Sequence, residues 1–557
     1  MTENGTSVEG KHDMHLRVVI LLSLLGARPP CLAQSRPTSI SFDVVESQFH
    51  ARDQEDAGEV RICLQNTSRV SLSHAQLGIH IASQTSDSPD PERREQKYVY
   101  ARLLPPVLPP GQHGQLVAKL LDRPAKNQAL TCTLSATDGT TSRVSSVVEP
   151  VLWISYVGFS QDLRTVFVYL ENCTDEVVRT ESLQVDKAQV ENSAEAINRL
   201  IPPKGKGCLM CRLSRALVPG EFTHVAVSAR KGPQAVHLHG IVRAINKIPL
   251  MMVESGTPAP DLGLDLEGFT ETMVCIAHAH GTPAQAAGTF WQDYVQRFGR
   301  NPQQVIQLDI CRADAPRAWF RFGSLPDIAR MNPILSSPPG YDREDHQQCF
   351  HPFFHRGHLA KEAVEPCRYL AVIPIVPEEG LFLQKELTPQ EVRFLVYSAV
   401  ASGAKGLGYR GTLTDDPLYR SAFVRLNKEL RQLEPLLLIG EPIEGATTTN
   451  GAYAVKSLLC GDQALLVTVF DRRYFGQRNS NKFYTPPFRK VVTPVRIDVT
   501  IPGEVSVGQV RSLSAPLDRG RWAYGEGHVG FTADMIDSAQ VYLVDLQPGT
   551  QPSGIGE

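Results

Sequence analysis

Asp309 closes the apolar stretch VIQLD at 305–309, and Arg312, Asp314 and Arg317 follow it in a polar run. Glu254 ends PLMMVESG at 249–256, while Glu378 and Glu379 follow AVIPIVP at 371–377. Carboxyls at the ends of separate strands are the groups that acid–nucleophile chemistry uses, one giving a proton while the other attacks or stabilises charge. Asp309 is the first candidate and Glu378 or Glu379 the second. The plainer alternative is an Asp309–Arg312 ion pair beside a solvated loop carrying both glutamates. Arg410, after Tyr409, can hold a ligand carboxylate or pair with Asp415 or Asp416.

Metal ligands are the other chemistry to weigh. His351, His355 and His358 share a face if FHPFFHRGH is helical, and three imidazoles can hold zinc. A proline interrupts that run, so loop packing outweighs metal. Cys208 and Cys211 form a lone C-x-x-C, which reads as a local disulfide or two strand cysteines. No cofactor is expected.

The elements that must position these residues differ along the chain. Residues 40–147 and 148–247 read as short strands divided by turns. VRICLQNTS at 60–68 is echoed by VFVYLENCT at 166–174, and LPPGQHGQLVAKL at 108–120 by LVPGEFTHVAVSA at 217–229. The offset of about a hundred residues is that of one β-sandwich, so the second segment reads as a diverged copy of the first. Asn66 and Asn172 also fit the glycosylation sequon.

From 248 to 444, strand and helix signals alternate. AGTFWQDYVQRFG (287–299) is a helix, as is LYRSAFVRLNKELRQLEPLL after Pro417; TMVCIAHAHG (272–281), PDIARMNP and PCRYLAVIPIVP are strands. In TPQEVRFLVYSAVASGAKGLGYRG (388–411), Thr388 and Glu391 make a capping box, Pro389 suits the first turn and Gly403 stops the helix. Residues 445–548 return to strands, a further β-sandwich.

With 557 residues, 42% of them hydrophobic, and a net charge of −3, the chain has several cores and no basic footprint for nucleic acid. Lys11, His12 and Arg17 precede VVILLSLLGA (18–27), and CLAQ follows at 31–34. That reads as a leader with a signal peptide over 1–33, cleaved near Ala33, with Met14 an alternative start. The mature protein is expected to be secreted, periplasmic or on the cell surface, with no membrane span. Ten of the eleven cysteines would remain.

EPCRYLAVIPI, TPQEVRFLVYSAVASGAKG, the strand end at Tyr409 and LNKELRQLEPLL resemble the C-terminal half of a glycoside-hydrolase-type (β/α) barrel. The group is that of β-galactosidase-like enzymes and secreted barrel proteins. RFGSLPDIARMNP at 321–333 resembles another strand of the same proteins. The resemblance implies carboxyl pairs flanking a glycosidic bond, roughly 5–5.5 Å apart for retention and wider for inversion. It also implies sugar binding by His278, His280, Arg312, Trp319, Tyr409 and Arg410. Trp291 falls in a predicted helix and reads as core. One departure stands out: no Asn-Glu dipeptide, which the related hydrolases carry, occurs in the chain. The fold class expected is multidomain α/β plus all-β, with two N-terminal β-sandwiches, a reduced or irregular TIM-like (β/α) barrel and a C-terminal β-sandwich. Hydrolysis of a polysaccharide is the leading expectation, and a non-catalytic carbohydrate-binding or cell-surface protein the alternative.

Overall fold

The computed structural model describes residues 40–548, apart from 53–54, 85–92, 126–127, 149, 187–198, 254–259, 263, 265–268, 271–281, 311–315, 333–349, 376–387, 412, 414, 473–492, 502–504, 514–520 and 526. The leader, the strand expected at 272–281, Glu254, His278, His280, Arg312, Glu378 and Glu379 lie outside the described residues. Most of the regular structure is β, in several sheets, with five α-helices among the described residues.

Two pairs of antiparallel sheets come first. Strands Phe42–His50, Glu59–Asn66, His113–Leu120 and Tyr98–Leu104 form one sheet; Thr141–Val147, Ala129–Ala136, Leu77–Gln84 and Arg93–Glu95 form its mate. Ile62, Leu64 and Leu116 meet Ile81, Leu130 and Leu134 in their shared core. The second pair sets Leu152–Phe159, Thr165–Asn172 and Lys206–Arg212 against Leu200–Ile201, Val178–Val185, Phe222–Lys231 and Gln234–Arg243. Cys208 and Cys211 are free thiols on that third strand, three residues apart, so they face opposite ways. Cys211 enters this second core, whereas Cys208 packs outward against the main one.

The repeated Leu-x-Asn signature has a structural cause. Asn66 Oδ1 accepts from the Ser68 amide (3.0 Å) and hydroxyl (2.6 Å), while its Nδ2 donates to the carbonyls of Val70 and Leu108. Asn172 repeats the pattern with Thr174 (2.9 and 2.8 Å), Glu176 and Ile201. Each asparagine closes a strand by satisfying backbone groups that the turn would orphan. Both amides are consumed inside the fold, so the sequon reading fails at these positions.

A six-stranded all-parallel sheet follows, in the order Leu250–Met252, Leu407–Arg410, Arg368–Pro374, Ile328–Met331, Val305–Asp309, Phe269–Thr270. Apart from the first strand, which lies beside the last, neighbours in space are neighbours in sequence. That is the winding of a (β/α) barrel. Among the described residues no pairing joins Leu250–Met252 to Phe269–Thr270, so the sheet is a half-barrel; closure into a barrel is not seen. Helices Pro283–Arg300, Arg317–Phe322, Phe350–Glu362, Pro389–Ala401 and Pro417–Ile439 alternate with the strands. Ile306, Leu308, Ala329, Met331, Tyr369, Ala371, Ile373, Leu407 and Tyr409 face those helices in the largest core. The opposite face carries Met251, Val253, Val305, Ile328, Leu370 and Val372.

The stretch 388–411 fits this winding. Glu391 Oε2 accepts from the Thr388 amide (2.7 Å), and Thr388 Oγ1 accepts from the Glu391 amide (3.3 Å), completing the box. Gly403 turns at φ 92°, a conformation that favours glycine. Gly408 lies on the concave face, where an added Cβ would come within 2.7 Å of Val253 and 3.0 Å of Leu370. The small residues are therefore packing and turn devices. The C-terminal strands form five- and four-stranded sheets, and their apolar residues merge with the helices' core: Phe470 meets Phe354 and Phe394 at ring distances of 5.0 and 5.4 Å.

A buried charge network fastens these parts together. Glu365 pairs with Arg52 (2.6 Å) and Lys361 (3.3 Å); Arg52 also pairs with Glu171 (2.9 Å), and Glu441 with Lys361 (3.3 Å) and Lys206 (2.9 Å). Burial would raise Glu365, but Arg52 and Lys361 reverse this and hold its carboxyl well below the usual range.

His50 sits beside this network, 3.6 Å from Glu365 and 4.1 Å (ring to ring) from Trp153. Burial, and then the nearby Arg61 charge, lower it from 6.5 to about 4. Between these two values the unfolded chain binds a proton that the folded chain refuses, so stability falls as pH drops through this window. The total loss amounts to about 3 kcal/mol. His50→Gln is expected to flatten the fall of Tm between pH 6.5 and 4 relative to wild type; an unchanged slope would show that His50 protonates freely in the folded protein.

Candidate active site

Side chains alternate across a strand, so every second residue points to the concave face. On Val305–Asp309 these are Val305, Gln307 and Asp309; on Ile328–Met331 and its extension they are Ile328, Arg330 and Asn332. Pro374 and Arg410 are paired in register at the carboxyl ends of their strands. Moving along the strands toward those ends, the concave face passes from apolar (Val305, Ile328, Leu370) to polar (Gln307, Asp309, Arg330, Asn332, Arg410). All five polar residues are buried, Arg330 completely.

Asp309 and Arg330 are register partners and an ion pair at 3.6 Å. The sequence placed Asp309 at a strand end correctly. Arg312, the ion-pair partner that the sequence offered, lies outside the described residues; among those described, Arg330 on the next strand pairs with Asp309. Arg410 joins the same concave face. Buried polar side chains at the carboxyl ends of parallel strands are where barrel folds carry their sites.

Two binding candidates are corrected. Trp319 lies in helix Arg317–Phe322, packed in the main core with the convex-face residues and not among the side chains of the concave face. Tyr409 is wholly buried on the convex face; its hydroxyl donates to Asn427 Oδ1 at 2.8 Å, and its ring meets Phe423 edge-on at 4.6 Å. Parity explains the error. Tyr409 and Arg410 are consecutive, so only one of them can face the site. Trp291 is core, stacked on Tyr294 at 4.8 Å, as its helical position predicts.

Gln307, Arg330 and Asn332 escaped the sequence reading although they left a signal. Polar residues at alternate positions of otherwise apolar strands, VIQLD and IARMN, mark a face that is buried yet polar.

At the amino-terminal end the character is different. Asp327 Oδ1 accepts from the Tyr294 hydroxyl (2.7 Å) and pairs with Arg243 (3.2 Å), and its Oδ2 accepts from the Ile306 amide (2.9 Å). Every oxygen is used in joining strand, helix and the preceding sheet, which is a structural role.

Helix Phe350–Glu362 is intact despite Pro352, near its first turn where proline is tolerated. His355 and His358 line a cavity of about 520 Å³ with Thr447, Thr448, Lys456 and Arg472. His358 lies 3.3 Å from Glu362, one helical turn on. None of the strand-end residues borders that cavity.

No family model matches the sequence, and no curated protein matches it. Among solved structures, an alpha-L-fucosidase GH29 from Bacteroides thetaiotaomicron is similar at 11% identity over 47% of this chain and 51% of that one, with a TM-score of 0.26. The archaellum periplasmic stator protein FlaG from Sulfolobus acidocaldarius is similar at 14% identity over 19% of this chain and 99% of its own, with a TM-score of 0.15. The CsuC–CsuE chaperone–tip adhesion subunit complex of Acinetobacter baumannii is similar at 12% identity over 36% and 97%, with a TM-score of 0.15. The chain spans about half the length of the fucosidase. Superpositions at this level carry no shared chemistry.

Proposed function

We propose that the chain is an exported carbohydrate-active protein that engages a polysaccharide at the polar end of the half-barrel and hydrolyses a glycosidic bond there. The observation that carries this reading is the change of the concave face from apolar floor to Gln307, Asp309, Arg330, Asn332 and Arg410 at the strand ends. Hydroxyl-rich ligands need many donors and acceptors fixed on a rigid frame, and these side chains supply both. In this reading Asp309, its charge balanced by Arg330, takes the anionic role, and the proton donor is Glu378, Glu379 or Glu254. Arg410 favours a sugar that bears a carboxylate.

One observation favours binding without turnover. Hydrolysis uses two carboxyls, and the described strand ends of the concave face present Asp309 alone. Protein beginning at Gln34 would be incubated with neutral and acidic polysaccharides, and both reducing ends and retention measured. Release that falls about 10²-fold or more in Asp309→Asn, while retention persists, supports hydrolysis. Retention without release, weakened in Arg410→Met, supports a binding protein. The absence of both release and retention would overturn the carbohydrate reading.

A further inference from the structure

The seam between the two N-terminal sheet pairs holds a second cluster of chemical groups, far from the strand ends in sequence. Cys63 lies on Glu59–Asn66, opposite Glu46 in register. His224 and His239 lie on adjacent strands, Phe222–Lys231 and Gln234–Arg243, on one face of their sheet because His224 pairs with Ile241, two residues from His239. Across the seam Cys63 Sγ is 3.9 Å from His224 Nε2, which is 3.0 Å from His239 Nδ1. The three atoms converge within 4.8 Å of one another. A tetrahedral zinc ion with Zn–S of about 2.3 Å and Zn–N of about 2.0–2.1 Å sets its ligand atoms roughly 3.3–3.5 Å apart. Small side-chain shifts reach that geometry.

The outer atoms of the cluster give a second argument. His224 Nδ1 faces Asp186 Oδ2 at 3.1 Å, and His239 Nε2 faces Glu46 Oε2 at 3.5 Å. Asp186 Oδ2 also meets His113 Nδ1 at 2.8 Å, and the His113 ring stacks on His224 at 4.5 Å. His224 Nδ1 and Glu46 Oε2 are both buried and make no hydrogen bond. A cation between Sγ, Nε2 and Nδ1 would make both inner nitrogens ligands and fix the ring protons on the outer nitrogens, each turned toward a carboxylate. That carboxylate–histidine–metal order is how proteins orient ligating imidazoles.

We propose that Cys63, His224 and His239 bind a zinc ion at the seam, with Asp186 and Glu46 orienting the two imidazoles and a water in the fourth position. Thiolate and imidazole donors select zinc over magnesium or calcium. Binding replaces the Cys63 S–H proton, which is released to solvent. Access is from the rim, where the side chains of His239 and Glu46 are 14% and 27% exposed. Because the ligands come from both sheet pairs, the ion also ties them together.

The full chain, stripped with a chelator, would be titrated with Zn²⁺ and separately with Co²⁺. One equivalent of tightly bound metal is expected, with a thiolate-to-cobalt charge-transfer band in the near ultraviolet. Cys63→Ser should lose that band, and Glu46→Gln should weaken binding by about 10–100-fold. Zinc should also protect Cys63 from alkylation in the wild type, a readout that needs no variant to fold. The proposal fails if no stoichiometric metal binds, or if the band survives in Cys63→Ser. It fails equally if Cys63 is alkylated at the same rate with zinc present, the result expected of a metal-free thiol–imidazole–carboxylate relay.

Discussion

Replacing Glu365 with alanine is expected to destabilise the protein by about 3–5 kcal/mol, the cost of removing one partner from a buried ion pair. Glu365 is 2% exposed and touches Arg52, Lys361 and His50. Alanine would leave the Arg52 and Lys361 cations partly uncompensated, with Glu171 and Glu441 as their remaining partners. It would also cut a junction between the first sheet pair, the second pair and the half-barrel. The measurement is a shift in the first urea transition. Glu181→Ala is the control, because Glu181 pairs with Arg230 at the surface, where both side chains are at least 40% exposed and a pair contributes little. If Glu365→Ala shifts the transition no more than Glu181→Ala does, the network is not what holds these parts together.

Asp327→Ala is expected to cost a similar amount, about 3–5 kcal/mol, because it strands Arg243 and removes the acceptor of both Tyr294 and the Ile306 amide. Its functional consequence should differ from that of Asp309→Asn. Asp327 lies at the amino-terminal end of its strand, where side chains hold the barrel to the elements below, and Asp309 lies at the carboxyl end. At a temperature where the variant is still folded, polysaccharide retention should be unchanged in Asp327→Ala. Loss of retention with an unaltered Tm would reverse the two roles and move the site to the opposite end of the sheet.

Several features were legible because they are local. The capping box at Thr388 and Glu391, the helix stop at Gly403 and the helices around Trp291 and Phe423 depend on residues within one or two turns. The paired Leu-x-Asn strands were readable because the same turn problem is solved twice. The alternation of strand and helix from 248 to 444 anticipated a parallel sheet.

The chemistry of the site was less legible. Asp309 could be placed at a strand end, but its partner, Arg330, is twenty-one residues away and adjacent only through strand pairing. Tyr409 and Arg410 could not be assigned to faces without the register, and Trp319 could not be recognised as core without the helix that encloses it. The cluster of Cys63, His224, His239, Asp186 and Glu46 left no motif at all, since its members come from four strands and a turn spanning nearly two hundred residues. By itself the sequence determined where helices begin and end, which strands repeat and which segments alternate, because capping, turn formation and periodicity act over a few residues. Only the tertiary structure decided which side chains face one another, because pairing register and the packing of one sheet on another bring together groups that share no sequence neighbourhood.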